Sequence, residues 1–463
     1  MCKLRSAELL GVTGITADSR AIRPGFLFAA LPGGKADGRA FIAEAVARGA
    51  AAVLAPVGTT WPPGVPPRPF FLHPNPREKL AQLAVELAGR LPERLVAVTG
   101  TNGKTSTVDF LRQILILSGR RAASLGTLGV IAPGVPTEES LTTPDPVTLA
   151  NTLARLAASG VTHAALEASS HGISQCRLDG LKFAAAGFTN LTRDHLDYHG
   201  DMAGYRAAKL RLFDTLLPRG AKALAMADIE PETFAALRDI AARRGLDFVP
   251  VAPPRISPLP GGQEVVAEGR HVTLNLPGRF QADNAMLAVG LASAIGVADP
   301  LSYLPRLIGV RGRLERAAVL GNGAAAYVDY AHTPDAIARV LTALRPHAAG
   351  RLVIVFGAGG DRDAGKRPLM GEAAVRLADV VIVTDDNPRG ENPETIRAAI
   401  LAAAPGAVEI ADRRAAIAAG LDALRDGDVL VVAGKGHEQG QIVGDTIIPF
   451  DDVSVIRDLA GAA

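Results

Sequence analysis

Apolar and polar positions follow two rhythms along this chain. Short unbroken apolar runs stand at Gly25 to Leu31, Ala50 to Leu54, Arg94 to Thr99, Ala164 to Leu166, Ala184 to Phe188 and Ala221 to Ala227. Bounded by turn residues, such runs predict strands buried on both faces. Between them apolar residues recur at helical spacing, as in Arg39 to Arg48, Arg77 to Arg90 and Thr105 to Ser118. Strand alternating with helix predicts an α/β fold with mostly parallel sheets covered on both sides. Pro56 to Pro69 is so rich in proline and glycine that it reads as a loop or an extended surface strip. Around Pro253 to Thr273 the pattern turns less helical, and a short β extension is expected. After Arg311-Gly-Arg-Leu-Glu315, apolar runs at Ala325 to Asp329, Leu352 to Phe356, Val380 to Thr384 and Val429 to Ala433 predict a second doubly wound sheet. No fixed-period repeat is present, and the abundant alanine reads as helix-forming.

At about 150 residues per domain, 463 residues suggest roughly three, with boundaries expected at 1–90, 91–313 and 314–463. The apolar share, 48% against 21% charged, is that of a globular chain and excludes disorder as the main state. Lysine plus arginine number 49 and aspartate plus glutamate 47, which leaves no basic footprint for a nucleic-acid partner. Cys2 and Cys176 are the two cysteines, too few for a disulfide framework. The longest uncharged stretches, such as Gly49 to Pro67, are broken by glycine and proline, and Met1 to Arg20 carries charge without an apolar core. A cytoplasmic protein without membrane insertion is expected; the oligomeric state is open, with a monomer the simplest case.

Gly100-Thr-Asn-Gly-Lys-Thr-Ser106 stands where a strand runs into a helix, the context a phosphate cradle needs. Its glycines let backbone N–H groups converge on phosphate oxygens, and the helix N-terminus adds a favourable dipole. Lys104 would reach the β and γ phosphates, and the Thr105 hydroxyl would meet a magnesium ion. The strict pattern asks for glycine five positions before Gly103, where Val98 stands, so the loop is a variant. A loop of this kind announces nucleotide binding, not the reaction.

Three further features follow strand-like runs: Glu167 in Leu166-Glu-Ala-Ser-Ser-His171, the run Thr189 to Asp197, and Tyr205-Arg-Ala-Ala-Lys209. Ligands of open α/β sheets sit at strand carboxyl ends. Glu167 there suits magnesium, directly or through water. His195 is a further ligand, a residue that orients one, or a hydrogen-bonded structural histidine. Lys209, at helical spacing from Tyr205, reads by itself as an ordinary solvated or salt-bridged helix lysine.

Together with Gly312-Arg-Leu-Glu315, Asp329-Tyr-Ala-His-Thr-Pro334 and Gly434-Lys-Gly-His-Glu438, these motifs resemble the Mur ligases of peptidoglycan synthesis, in order, from Asp18 to Glu438. The resemblance implies three domains: one for a uridine nucleotide, a central P-loop ATPase, and a Rossmann-like domain that carries an amino acid. It implies ATP as co-substrate, two magnesium ions, and a carbamylated Lys209 holding the second ion beside His195 and Glu167. Asn284 and Arg313 would serve the adenine side, with Asp329 and His332 near the nucleotide. Ser19 and the Gly34-Lys-Ala-Asp-Gly-Arg39 turn would hold the uridine diphosphate, and Thr142, Thr143, Ser169, Gln175 and Arg177 the muramoyl dipeptide. Leu141 stands where the family commonly has asparagine. Read alone, Ser19 and Thr142 are equally turn or capping residues.

Asp386-Asn-Pro-Arg389 resembles the signature of the members that add meso-diaminopimelate to UDP-N-acetylmuramoyl-L-alanyl-D-glutamate. The guanidinium of Arg389 would clamp the distal carboxylate, which lysine lacks, through two parallel hydrogen bonds. Asp386, Asn387, Pro388, Arg362, Gly434 and Glu438 complete the expected contacts. Alone, Asp-Asn-Pro-Arg reads as a turn; after Val380 to Thr384 it stands at a strand's carboxyl end. The expected reaction is ATP-dependent amide formation through an acyl phosphate. Competing expectations are an L-lysine-adding relative, a folylpolyglutamate synthetase-like ligase, which lacks the Asp18-Ser-Arg20 segment, and a non-catalytic nucleotide switch.

Overall fold

The computed structural model describes residues 11–33, 36–135, 141–259 and 261–461. Cys2 and, in the turn at 34–39, Gly34 and Lys35 lie outside them. The described residues form two compact units. One runs to Pro253 and takes in Leu287–Pro300; the other comprises Pro254–Met286 and the described residues from Leu301 onward.

The first unit opens with a wholly parallel sheet, in the order β1 (Gly14–Thr16), β2 (Phe26–Ala29), β3 (Ala52–Pro56) and β4 (Phe70–His73). No regular element lies between β3 and β4, as the proline and glycine content predicted. Helix Pro76–Ala88 has a proline in its first turn, and the Asn75 side chain accepts from Glu78 N–H, which satisfies one of the donors a helix start leaves open. Its buried Leu80 and Leu83 share a core with Ile15, Leu27 and Leu54, joined by Ala150 of helix Pro146–Ala158.

The same unit holds a seven-stranded sheet made of β5 (Arg94–Thr99), β6 (Ala122–Gly126), β7 (Gly129–Ile131), β8 (His163–Glu167), β9 (Phe183–Phe188), β10 (Lys222–Met226) and β11 (Asp247–Val251). The spatial order is β11-β10-β9-β5-β8-β6-β7, parallel except for the β6–β7 pair. Central β5 lies between β8 and β9 with Val98 opposite Glu167 and Thr99 opposite Phe188. That register brings three strand carboxyl ends side by side.

In the second unit, β12 (Arg255–Leu259), β13 (Gly262–Ala267) and β14 (Arg270–Leu274) form the antiparallel extension expected there. The main sheet contains β15 (Glu315–Val319), β16 (Ala325–Asp329), β17 (Leu352–Phe356), β18 (Val380–Val383), β19 (Val408–Glu409) and β20 (Val429–Ala433), in the order β15-β16-β20-β17-β18-β19. All its pairs are parallel except β15–β16. Every residue of β17 is buried, and each large apolar side chain so placed contributes about 1.5–3 kcal/mol. A hairpin of β21 (Gly440–Val443) and β22 (Thr446–Pro449) follows.

The strand expected at Arg94 to Thr99 has those bounds. Strands β1, β4, β6, β7, β11, β15, β19 and the last hairpin lie outside the expected runs; most are short, at sheet edges or built from small residues. Among the described residues no helix is long and apolar enough to cross a membrane.

Candidate active site

The loop after β5 is shaped by its glycines and braced from β9. Gly100 has φ 140°, and a Cβ there would collide with the Thr189 hydroxyl and stand 3.0 Å from Asn190 N. Gly103, at φ 83°, turns the chain into helix Lys104–Leu117. Thr101 N donates to Asn190 O (2.9 Å), Asn102 N to Asn190 Oδ1 (3.0 Å), and the Thr189 hydroxyl to Asn102 O (2.6 Å). The run beginning at Thr189 is therefore the second wall of the phosphate loop.

Two lysine side chains meet at this loop. Lys104 Nζ donates to Gly100 O and Thr101 O, both at 2.9 Å, and Lys209 Nζ donates to the same Gly100 O at 2.8 Å. Lys209 is 1% exposed and lies over the Tyr205 ring, 4.3 Å from its centroid. The expectation from its helical spacing, a solvated lysine, is corrected: the side chain is buried. Burial, and then the charge of Lys104, hold the Lys209 amine well below the ordinary lysine range. Burial likewise pushes the Tyr205 phenol up to about 12.

Glu167 ends β8 and is also buried. Its carboxylate accepts from Thr127 N (2.8 Å) and the Thr127 hydroxyl (3.3 Å), and a Cβ on Gly126 would overlap it. Thr127 was not singled out in the sequence; only the pairing of β6 with β8 places it beside Glu167. His195 is half exposed, has φ 52°, and stands 5.0 Å from the His171 ring and 6.3 Å from that of Tyr205, centroid to centroid. Among the described residues no group of three or more His, Cys, Asp or Glu side chains is gathered to hold a metal.

The dipeptide candidates are mostly knit together. Thr127 and Thr142 hydroxyls share a hydrogen bond (3.1 Å), Thr143 Oγ1 donates to Glu167 O (2.8 Å), and Ser169 N donates to Thr143 Oγ1 (3.0 Å). Arg177 donates to Thr143 O (2.6 Å) and Gln175 Oε1 (2.7 Å). Ser169 also caps a helical turn, its hydroxyl accepting from Gly172 N (3.0 Å). Ser19 is engaged elsewhere, donating to Glu44 Oε2 at 3.1 Å.

In the second unit, Arg313 leads into β15 and its guanidinium covers the Tyr330 ring at 4.5 Å. Asp329, at the end of β16, accepts from Leu314 N (2.7 Å) and Ala331 N (2.9 Å), so its carboxylate braces that turn. Burial pushes Asp329 up to about 6, against the opposing pull of Arg313 and those two N–H groups. Asn284 is buried on helix Arg279–Ala294, whose Gln281 donates to Arg313 O (2.9 Å). His332 Nδ1 pairs with Tyr330 O at 2.8 Å.

Around the carboxyl ends of β18 and β20 a tighter cluster forms. Asn387 Nδ2 donates to Glu438 Oε2 (2.8 Å), and Asn387 Oδ1 accepts from Lys435 Nζ (2.8 Å) and Ile442 N (2.9 Å). Asp386 Oδ1 lies 3.9 Å from Lys435 Nζ, and Gly434 follows β20 directly, its N–H donating to Asp329 O (3.1 Å). Arg389, at φ 53°, donates to Gly360 O (2.9 Å), and Gly360 N donates to Asn387 O (2.9 Å). These bonds tie Gly360 to the Asp386-Asn-Pro388-Arg389 turn, and Arg362, two residues beyond Gly360, is exposed. Two residues missed in the sequence support it: Lys435, with no exposed side-chain surface, and Arg413, which donates to Ala433 O and Asp385 O while paired with buried Asp452.

A glycine-turned phosphate loop on a parallel sheet, together with a second doubly wound sheet carrying a charged cluster at its strand ends, defines a P-loop α/β nucleotide-dependent enzyme class. Residues 98–292 match the Mur ligase middle domain, 312–436 the Mur ligase glutamate ligase domain, and 11–62 the domain described as Mur ligase family, catalytic domain. The chain is 54% identical, over 96% of its length and 94% of the relative's, to the UDP-N-acetylmuramoyl-L-alanyl-D-glutamate–2,6-diaminopimelate ligase of Caulobacter vibrioides. A solved structure of a ligase of that same name superposes with a TM-score of 0.71 at 33% identity, covering 97% of this chain and 95% of the other. The MurF ligase from Thermotoga maritima in complex with ADP shares the fold at 20% identity, TM-score 0.62, over 98% of both chains. The chain belongs to the Mur ligase family.

Proposed function

We propose that this enzyme joins meso-diaminopimelate to the D-glutamate of UDP-N-acetylmuramoyl-L-alanyl-D-glutamate, consuming ATP and releasing ADP and phosphate, in peptidoglycan synthesis. The observation that carries the amino-acid assignment is the cluster of Arg389, Asn387 and Glu438 at the carboxyl ends of β18 and β20, which offers a guanidinium and a carboxylate to one substrate end. We assign the uridine nucleotide to 1–90, ATP to 91–313 and the amino acid to 314–463, in a cytoplasmic monomer.

The substrate carboxylate attacks the γ-phosphorus of ATP, ADP leaves, and the amine then displaces phosphate from the acyl phosphate. The obstacle is charge, a carboxylate approaching a triphosphate. Lys104 counters it from the loop, and the backbone N–H groups after Gly100 orient the phosphates. Ser19, Thr142, Thr143, Ser169, Gln175 and Arg177 hold the nucleotide dipeptide. Arg313 and Asn284 take the adenine side, and Arg362 supports the far end of the amino acid.

Two magnesium ions and a carbamate on Lys209 are part of this proposal. The Lys209 amine is buried, its hydrogen bond is to a carbonyl, and its basicity is lowered. A lowered basicity favours the free amine, the form that adds CO2, forming an N–C bond and releasing one proton. Thr105, Glu167, His195 and the carbamate oxygens would hold the ions, which supply charge neutralisation when bound.

The test is ATP-dependent phosphate release with the nucleotide dipeptide and either meso-diaminopimelate or L-lysine. Diaminopimelate should be strongly preferred, and a preference for lysine overturns the assignment. Arg389→Ala should raise KM for diaminopimelate roughly 10- to 100-fold, the worth of charge-assisted hydrogen bonds, and leave KM for ATP unchanged.

A further inference from the structure

Lys435 is a lysine with no exposed side-chain surface. Its surroundings are Asn387 Oδ1 at 2.8 Å, Glu438 Oε2 at 3.5 Å and Asp386 Oδ1 at 3.9 Å. Asn387 Oδ1 also accepts from Ile442 N at 2.9 Å. With two donors on that oxygen, turning the amide over would set its NH2 group against an ammonium and a backbone N–H. The amide is therefore locked with Nδ2 toward Glu438.

We propose that Lys435 is a positioning and specificity-determining residue: it fixes the donor–acceptor polarity of Asn387 so that the pocket reads a carboxylate lying next to an ammonium. In this state Asn387 can offer a ligand only N–H, while Glu438, whose Oε2 holds Asn387 and faces Lys435, keeps Oε1 as an acceptor. Arg389 adds a second donor. Donor and acceptor side by side complement the head of an α-amino acid. Meso-diaminopimelate carries such a head at its distal end; lysine carries an ammonium there and nothing for the donors to meet. The inference rests on the function proposed above.

The experiment is a double-mutant cycle in the full-length enzyme. Lys435→Met should raise KM for meso-diaminopimelate about tenfold or more, as expected for loss of a charge-assisted bond. KM for ATP should stay within about twofold, and the preference for diaminopimelate over L-lysine should fall by a similar factor. In an Asn387→Ala background the same substitution should change KM less than about twofold, because Lys435 acts through Asn387. An unchanged KM in Lys435→Met, or an equal loss in both backgrounds, overturns the proposal. If Lys435→Met does not fold, Lys435→Gln, whose polar head ends one atom short of Asn387, enters the same cycle with the same two readings. A wild-type enzyme that uses only L-lysine overturns the functional assignment instead, and the cycle run with lysine then reads the coupling separately.

Discussion

Asp452→Asn should unfold the second unit far more easily than its single lost charge suggests. Arg413 and Asp452 are both fully buried, and the guanidinium grips the carboxylate with two bonds, Nε to Oδ1 at 2.8 Å and Nη2 to Oδ2 at 2.7 Å. Asparagine keeps the shape and leaves the cation without its counter-charge. Breaking a buried pair from one side costs about 3–5 kcal/mol, a large part of the roughly 5–15 kcal/mol that holds a typical domain. At about 2–4 °C per kcal/mol for a unit of this size, the calorimetric transition should fall by about 6–20 °C. The control is Arg413→Met with Asp452→Leu, in which no charge stays buried, so most of the lost stability should return. That double variant nevertheless loses the bonds from Arg413 to Ala433 O (3.1 Å) and Asp385 O (3.3 Å). Those carbonyls immediately precede Gly434 and Asp386, so KM for diaminopimelate should remain raised in a stable protein. A shift below about 2 °C for Asp452→Asn, or a double variant as unstable as the single one, refutes the reasoning.

Two further outcomes are expected. Lys209→Ala should lower turnover by about 10²-fold or more, on the scale of losing one preorganised charged group, and acetate or formate should restore part of it; near-normal turnover without rescue removes Lys209 from the mechanism. Asp329, raised from 3.8 to about 6, binds its proton more tightly folded than unfolded, so its contribution to stability is fully present below about pH 4 and is lost as pH rises through 6. In urea titrations from pH 4 to 8, the stability gap between wild type and Asp329→Asn should change through that window and be flat above it; a gap independent of pH counts against the buried carboxyl.

What the sequence makes legible depends on whether a signal is contiguous. The run Arg94 to Thr99 and the glycine loop after it are one uninterrupted segment, and both strand and loop stand where the pattern put them. Strand β6, Ala-Ala-Ser-Leu-Gly, has too little bulk to read as a strand, yet its pairing with β8 is what sets Thr127 on Glu167. Lys435 and Lys209 are hidden for a different reason. Lysine is expected at the surface, and nothing local reveals that neighbours far along the chain enclose these two. The Thr189 run drew attention for its histidine and aspartates, whereas its closest service in the structure comes from Thr189 and Asn190, which clasp the loop residues 101 and 102.

The amino-acid cluster is carried by two short loops, 386–389 and 434–438, just beyond the buried strands β18 and β20. If the loops choose the substrate, as proposed, then that choice and the persistence of the frame are separate inheritances. Substitutions in the loops would touch no side chain of the wholly buried β17, and the frame itself is shared with the MurF ligase at 20% identity. For anyone redesigning the enzyme, the loops are the place to write, with Lys435 kept inside the second of them and Arg413 kept beneath both.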